Sequence, residues 1–220
     1  MARKTLRVYL EKILLNCNGM QPPGIASPAT EQAHNLIVAT LKYPRSGAPT
    51  VASVKQVRLL NGVPVSYLPA ANNFWDRLLF KEDVDDETEL QIHVTNHTDP
   101  SKTAEWVKQL LGLGTKVLAA ALATTGLLGV IVGSTVALVT GELEKDNGEG
   151  KVIGQTRSFQ IKVVDTFSNP VAFGIMVPAD VTIAYLEPVQ QGSGEPTTKY
   201  VTLRKGDANG EIVLRLEFEP

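Results

Sequence analysis

Cysteine is almost absent from this chain. Cys17 is the only one in 220 residues, which excludes an internal disulfide framework and any multi-cysteine metal site. Histidine is nearly as scarce, and His34, His93 and His97 leave little for a zinc enzyme. A surplus of one charge is missing too. The 21 basic residues nearly cancel the 23 acidic ones, for a formal charge of −2, so no global field exists to hold nucleic acid. No G-x-S-x-G, phosphate loop, H-E-x-x-H or dinucleotide fingerprint occurs. Cys17 lies in the same region as His34, but no acid completes a nucleophilic constellation with them. No catalytic residue is assigned, and no enzyme or cofactor is expected. Charges at Arg3, Lys4, Arg7, Glu11 and Lys12 leave no apolar stretch of signal-peptide length, so a cytoplasmic location is expected. A lone reduced cysteine fits that compartment.

What is present is material for a core: 43% of the residues are hydrophobic, in a length that suits one domain spanning residues 1–220. Leu6, Val8 and Leu10 alternate with polar residues, the period of a half-buried strand. Leu36-Ile-Val-Ala-Thr-Leu41 is a β-branched run, and Lys55–Leu60 precedes Asn61-Gly62, a strong hairpin signal. Glu89–Thr95 alternates with Leu90, Ile92 and Val94 inward, which places His93 on the exposed side and His97 in the loop beyond. Strands are also predicted at Ser158–Val164, Asp180–Tyr185, Tyr200–Arg204 and Glu211–Glu217, the last two flanking a hairpin turn at Lys205–Gly210. About eight strands with turn signals between them predict a mainly β fold, an antiparallel two-sheet β-sandwich.

One segment breaks that texture. Asp99-Pro100 caps an expected helix with Trp106, Leu110 and Leu113 on one face. From Val117 to Gly141 there are 25 residues without a charge, eleven of them Leu, Val or Ile and the rest Ala, Gly, Thr or Ser. The expectation is an α-helical hairpin insert at about 99–142. Three readings are open for it: a hairpin packed on the sandwich, a small-residue surface for self-association, or a membrane element. Gly126, Gly129 and Gly133, with many weakly polar residues, argue against insertion in a bilayer. The contact residues expected are Leu118, Leu122, Gly126, Gly129, Ile131, Gly133 and Val136.

Acidic residues collect in two places. Asp83, Asp85, Asp86 and Glu87 lack the spacing of a calcium loop, and a solvated turn is the simpler reading. Asp99, Asp146, Asn147 and Glu149 flank the insert and share a cation, calcium by ligand type, if the adjoining strands pair. Otherwise Asp99 caps the helix and the second loop is solvated. Trp75 is an exposed anchor or, more commonly for such a residue, a plug for the end of the core.

The order of these segments resembles a known family. The Leu6-x-Val8-x-Leu10 strand, the strand Glu89-Leu-Gln-Ile-His-Val94, the segment Asp146-Asn-Gly-Glu-Gly-Lys-Val-Ile-Gly154 and the alternating final strand are similar to the C-two domains, calcium- and lipid-binding β-sandwiches. The likeness is greater to divergent bacterial members with an Ala/Gly-rich helical insert before the Val-Ile-Gly segment. That family's calcium site uses several aspartates at its loop tips, where this chain has Asn96, Thr98 and Asp99 on one side and Asp146 and Asn147 on the other. The resemblance implies the sandwich fold and docking to a protein or a membrane. The function expected is a non-enzymatic binding or assembly module, with a protein partner or a second copy engaging the insert. The alternative is a peripheral membrane-binding or pore-forming protein.

Overall fold

Strand β1 (Lys4–Leu15) shows how the sequence phases the core. Leu6, Val8 and Leu10 are fully buried on even positions, and then Ile13 and Leu15 are fully buried on odd ones. A side chain period of two cannot supply both without a shift. The register against the last strand, β13 (Ala208–Phe218), shifts between Leu10 and Lys12, so a bulge at Glu11 absorbs the extra residue. Opposite it, Ile212, Leu214 and Leu216 are fully buried and pair with Ile13, Leu10 and Val8. Fully burying one such side chain is worth roughly 1.5–3 kcal/mol, so this strand pair anchors the core.

The computed structural model describes residues 3–19, 34–42, 51–67, 77–97, 132–133, 152–186 and 198–219. Its remaining strands are β2 (His34–Lys42), β3 (Val51–Val57), β4 (Val65–Ser66), β5 (Leu78–Val84), β6 (Glu89–His97), β7 (Val132–Gly133), β8 (Val152–Gln155), β9 (Phe159–Gln160), β10 (Val171–Met176), β11 (Val181–Leu186) and β12 (Thr198–Leu203). The chain is mainly β and its pairings are antiparallel, as the alternation predicts. Eleven strands form one curled sheet in the order β4-β1-β13-β10-β8-β6-β2-β3-β7, with β5 beside β1 and β9 beside β6. β11 and β12 form a separate two-stranded ribbon. Residues of both halves of the sheet and of the ribbon share one core, from Leu6 and Leu214 to Ile37, Ile92 and Ile183.

The two halves of the sheet are joined through β8 and β10 by one paired position, Met176 with Gln155. Below it the seam is closed by aromatic contact instead of hydrogen bonds. Phe159 meets Phe173 edge-on at 5.3 Å, and Phe167 lies 6.4 Å from Phe159 and 5.9 Å from Phe218. Pairs of this kind add about 0.5–1.5 kcal/mol beyond their burial. Gly154 allows the close approach there, because a methyl group at its Cα would collide with the Ile175 side chain. At the other end Gly210 (φ 126°) passes so near the Leu14 carbonyl that any side chain would strike it.

Several expectations are corrected. The third strand is Val51–Val57, ahead of the expected Lys55–Leu60, and the turn after it is held by a bridge from Leu60 to Val63. The strand expected at Ser158–Val164 is only the two residues of β9, since Lys162–Asp165 turns, with Asp165 accepting the Lys162 amide at 3.1 Å. Lys205–Gly210 turns sharply but joins no hairpin. β12 pairs with β11, and both edges of β13 are taken by β1 and β10. Within the expected helical insert, 99–142, the described residues are Val132 and Gly133, and they are extended, paired with Ala52 and Val51. A β-branched run bounded by Gly129 and Gly133 is a poor helix former, which accounts for the difference there. The rest of the insert, with Trp75, lies outside the described residues.

Candidate functional site

The β3–β2–β6 half is buried on both sides. Facing the main core are Ile37, Ala39 and Leu41 of β2 with Leu90, Ile92 and Val94 of β6. Alternation sends the intervening residues to the opposite side, where Leu36 stands beside Thr95, Val38 beside His93 and Val54, and Thr40 beside Gln91. All of these are buried as well, and Leu36, Val38 and Val54 lie apart from the main core. A run such as Leu36–Leu41, apolar on both parities and interrupted by Thr40 alone, is what a strand covered on both sides requires.

Polar groups run through this second layer. Thr40 Oγ1 donates to the Gln91 carbonyl at 3.2 Å, Lys42 Nζ donates to Gln91 Oε1 at 3.1 Å, and Gln91 Nε2 donates to the Thr156 carbonyl at 3.3 Å. His93, by contrast, is 5% exposed and neither ring nitrogen has a hydrogen-bond partner. Burial pushes its pKa down to about 4, with the positive charge of Lys42 acting in the same direction. The side chain is therefore a neutral imidazole at neutral pH. The expected exposed His93 is overturned, because its outward side is covered. His97 is likewise not in a loop: β6 continues through it, and it pairs with His34.

A second polar cluster closes one end of the sheet. Asn18, Asn35, Asn61, Asn96 and Asn209 are all buried. Asn209 accepts the Cys17 amide at 2.8 Å and donates to the carbonyls of Cys17 and Ile153, both at 2.9 Å. Asn61 accepts the Asn18 amide at 2.7 Å. Asn35 donates to the Asn18 and Thr95 carbonyls at 2.8 and 3.1 Å, and Asn96 donates to the Gly19 carbonyl at 3.0 Å. These bonds tie residues 16–19 across the ends of β3, β6 and β13. Three Asn-Gly dipeptides (18–19, 61–62 and 209–210) mark the junction in the sequence, and each glycine has a positive φ. The thiol of Cys17 is buried in it, and desolvation raises its pKa, which keeps it from acting as a nucleophile.

The acidic run before β6 is a structured turn. Asp85 is buried and accepts the Glu87 amide and the Thr88 hydroxyl, both at 3.1 Å, while Asp86 accepts the Val163 amide at 2.7 Å. These Asp85 and Asp86 oxygens are thus turned on the protein itself. The outward side of β1 and β13 carries matched charges: Arg7 and Lys81 with Glu219, Arg77 and Arg215 with Glu11, Lys12 with Glu211. Such pairs contribute about 0–1 kcal/mol each. Arg77 also stacks 4.9 Å over the Tyr9 ring.

Asp99, Asp146, Asn147 and Glu149 lie outside the described residues, as do Leu118, Leu122, Gly126, Gly129, Ile131 and Val136. Gly133 is in β7. Among the described residues no three His, Cys, Asp or Glu side chains are grouped to hold a metal, and no helix is long and apolar enough to cross a membrane. Set against known protein families, curated proteins and solved structures, the chain matches none.

Proposed function

We propose that this chain is a non-enzymatic binding or assembly module whose β-scaffold offers the uncharged run Val117–Gly141 to protein, a second copy of the chain included. One observation carries the reading: among the described residues the large sheet ends on β7, which comes from that run and pairs with β3. A sheet that ends on a strand of uncharged sequence presents backbone donors and acceptors beside apolar residues, the features by which another chain adds to an edge. The matched ion pairs on the outward side of β1 and β13 make that side a poor competitor for the same partner. We read the two halves of the sheet, joined at Met176–Gln155 around one core, as the two faces of a sandwich similar to the C-two domains.

The test is light-scattering mass beside flotation with phosphatidylcholine–phosphatidylserine vesicles, with calcium and with chelator. The expected result is a mass that is a multiple of 23.7 kDa and no flotation. Val132→Pro, which removes a backbone donor from β7, lowers that mass. Flotation of the native chain would sink the reading in favour of a peripheral membrane or pore-forming protein. A 23.7 kDa species that stays with the buffer overturns self-assembly.

A further inference from the structure

Three of the buried asparagines are each followed by glycine, in Asn18-Gly19, Asn61-Gly62 and Asn209-Gly210. The fold requires both members of the pair. Each glycine has a positive φ, and a Cβ on Gly19 or Gly210 would strike the Asn96 side chain or the Leu14 carbonyl. The asparagines supply the hydrogen bonds of the junction. Asn209 makes three, Asn61 accepts the Asn18 amide, and Asn18 Nδ2 donates to the Leu59 carbonyl at 2.9 Å. Yet this pair is chemically the least durable of dipeptides in a free chain. No side chain shields the glycine nitrogen, which attacks the asparagine Cγ and closes a five-membered imide. The N–Cγ bond forms, the Cγ–Nδ2 bond breaks, and ammonia departs with the proton of the glycine amide. Water then opens the ring at either carbonyl and leaves aspartate or isoaspartate.

We propose that the asparagine junction is a modification site open only in the unfolded chain, and that conversion of Asn209 there prevents return to the fold. Folded geometry blocks the reaction. Swinging the Asn209 carboxamide onto the Gly210 nitrogen breaks its bonds to the Cys17 amide and to the Cys17 and Ile153 carbonyls together. At Asn61-Gly62 both reacting groups are committed elsewhere. The Gly62 amide donates to the Leu15 carbonyl at 2.7 Å, and Asn61 Oδ1 accepts the Asn18 amide at 2.7 Å. Conversion therefore proceeds through the unfolded fraction, roughly 10⁻³–10⁻⁶ for a domain of ordinary stability. The product does not fit. An ionised aspartate at 209 replaces the Nδ2 donor by an oxygen facing the Cys17 and Ile153 carbonyls, three buried acceptors with no hydrogen among them. Isoaspartate lengthens the backbone of β13 beside Gly210, which pairs with Leu15 on one side and Ile175 on the other. The added methylene shifts the register against both neighbours. A period of unfolding is thus recorded covalently in the chain.

The experiment holds the full chain at pH 8 and 37 °C, in native buffer or in 6 M guanidinium, and follows each site by mass spectrometry of its peptides. Conversion adds one mass unit. Asn147-Gly148, the fourth such dipeptide of the sequence, is scored separately. Conversion at Asn18, Asn61 and Asn209 is expected to run at least a hundredfold faster in guanidinium than in native buffer. After partial conversion the denaturant is diluted out. The refolded fraction is expected to retain Asn209, and the fraction that fails to refold to be enriched at least tenfold in its products. A chain held equally long in guanidinium at pH 5, where the amide nitrogen loses its proton more slowly, is expected to refold in full. Similar rates in the two buffers at pH 8 overturn the proposal. So do Asn209 products spread evenly between the refolded and unrefolded fractions, or poor refolding from pH 5 with Asn209 intact.

Discussion

Replacing His93 with leucine removes two buried ring nitrogens that have no partner and leaves an apolar side chain beside Val38 and Thr95. In the folded chain the imidazole stays neutral down to about pH 4, whereas in the unfolded chain it takes a proton near its ordinary value of 6.5. Between those limits the unfolded state binds a proton that the folded state refuses. Stability is therefore intact above pH 6.5, falls as the pH drops toward 4, and loses nothing further from this group below that. At about 1.36 kcal/mol per pH unit, the interval amounts to about 3 kcal/mol at pH 4. That is a large share of the roughly 5–15 kcal/mol that holds a domain together. His93→Leu deletes this loss and also relieves two unsatisfied groups, worth about 1–3 kcal/mol at any pH. The assay is urea unfolding followed by far-ultraviolet circular dichroism at pH 7.5, 6, 5 and 4.2, with the slope m checked for constancy. Carboxylates such as Asp180 and Glu219, held below their usual range by hydrogen bonds from Lys205 and Lys81, weaken both proteins alike in acid and cancel in the difference. The variant is expected to be more stable at pH 7.5, by a margin that widens by about 3 kcal/mol at the acid end. A margin that stays flat with pH, or a less stable variant at pH 7.5, refutes the argument.

Three further outcomes are expected. Gly210→Ala combines a positive φ with a collision at the Leu14 carbonyl and lowers stability by more than 3 kcal/mol. Gly206→Ala, where φ is positive but the space is open, costs about 1–2 kcal/mol, and equal losses in chemical denaturation would discredit the distinction. Asn209→Ala leaves the Cys17 amide and the Cys17 and Ile153 carbonyls without their partner and costs about 2–3 kcal/mol, against a change near zero for the exposed Lys205→Ala. Cys17 does not react with a chromogenic disulfide reagent in the folded chain and reacts in 6 M guanidinium; rapid labelling of the native protein would show that the asparagine junction opens.

Much of the β architecture is legible in the residues. Leu6-x-Val8-x-Leu10, Leu90-x-Ile92-x-Val94 and Ile212-x-Leu214-x-Leu216 each point inward as their alternation says, because a one-sided core enforces a period of two. What escapes is set at a distance. The turn at Lys205–Gly210 has the right local chemistry, yet the strands around it do not pair, since β1, almost 200 residues earlier, occupies the edge a hairpin would use. β10 alternates through Val171, Phe173 and Ile175 but carries Gly174, and its place rests on β13 and not on its own pattern. Alternation also tells which side of β6 His93 takes, but not whether that side meets water. The one local hint is on β2, where Leu36 to Leu41 is apolar on both parities. The asparagine junction is written as three Asn-Gly dipeptides, a signal that reads as separate turns until the fold brings them together.

The pairing of β1 with β13 sets the order in which this protein can be made. β1 leaves the ribosome almost 200 residues ahead of β13, the neighbour that completes its buried side. At ~5–20 residues per second, roughly 10–40 s separate the two. During that time Leu6, Val8, Leu10 and Ile13 have no Leu216, Leu214 or Ile212 to cover them. The chain must either shelter that strand, in the exit vestibule or against a chaperone, or keep it from meeting the same strand of a neighbouring nascent chain.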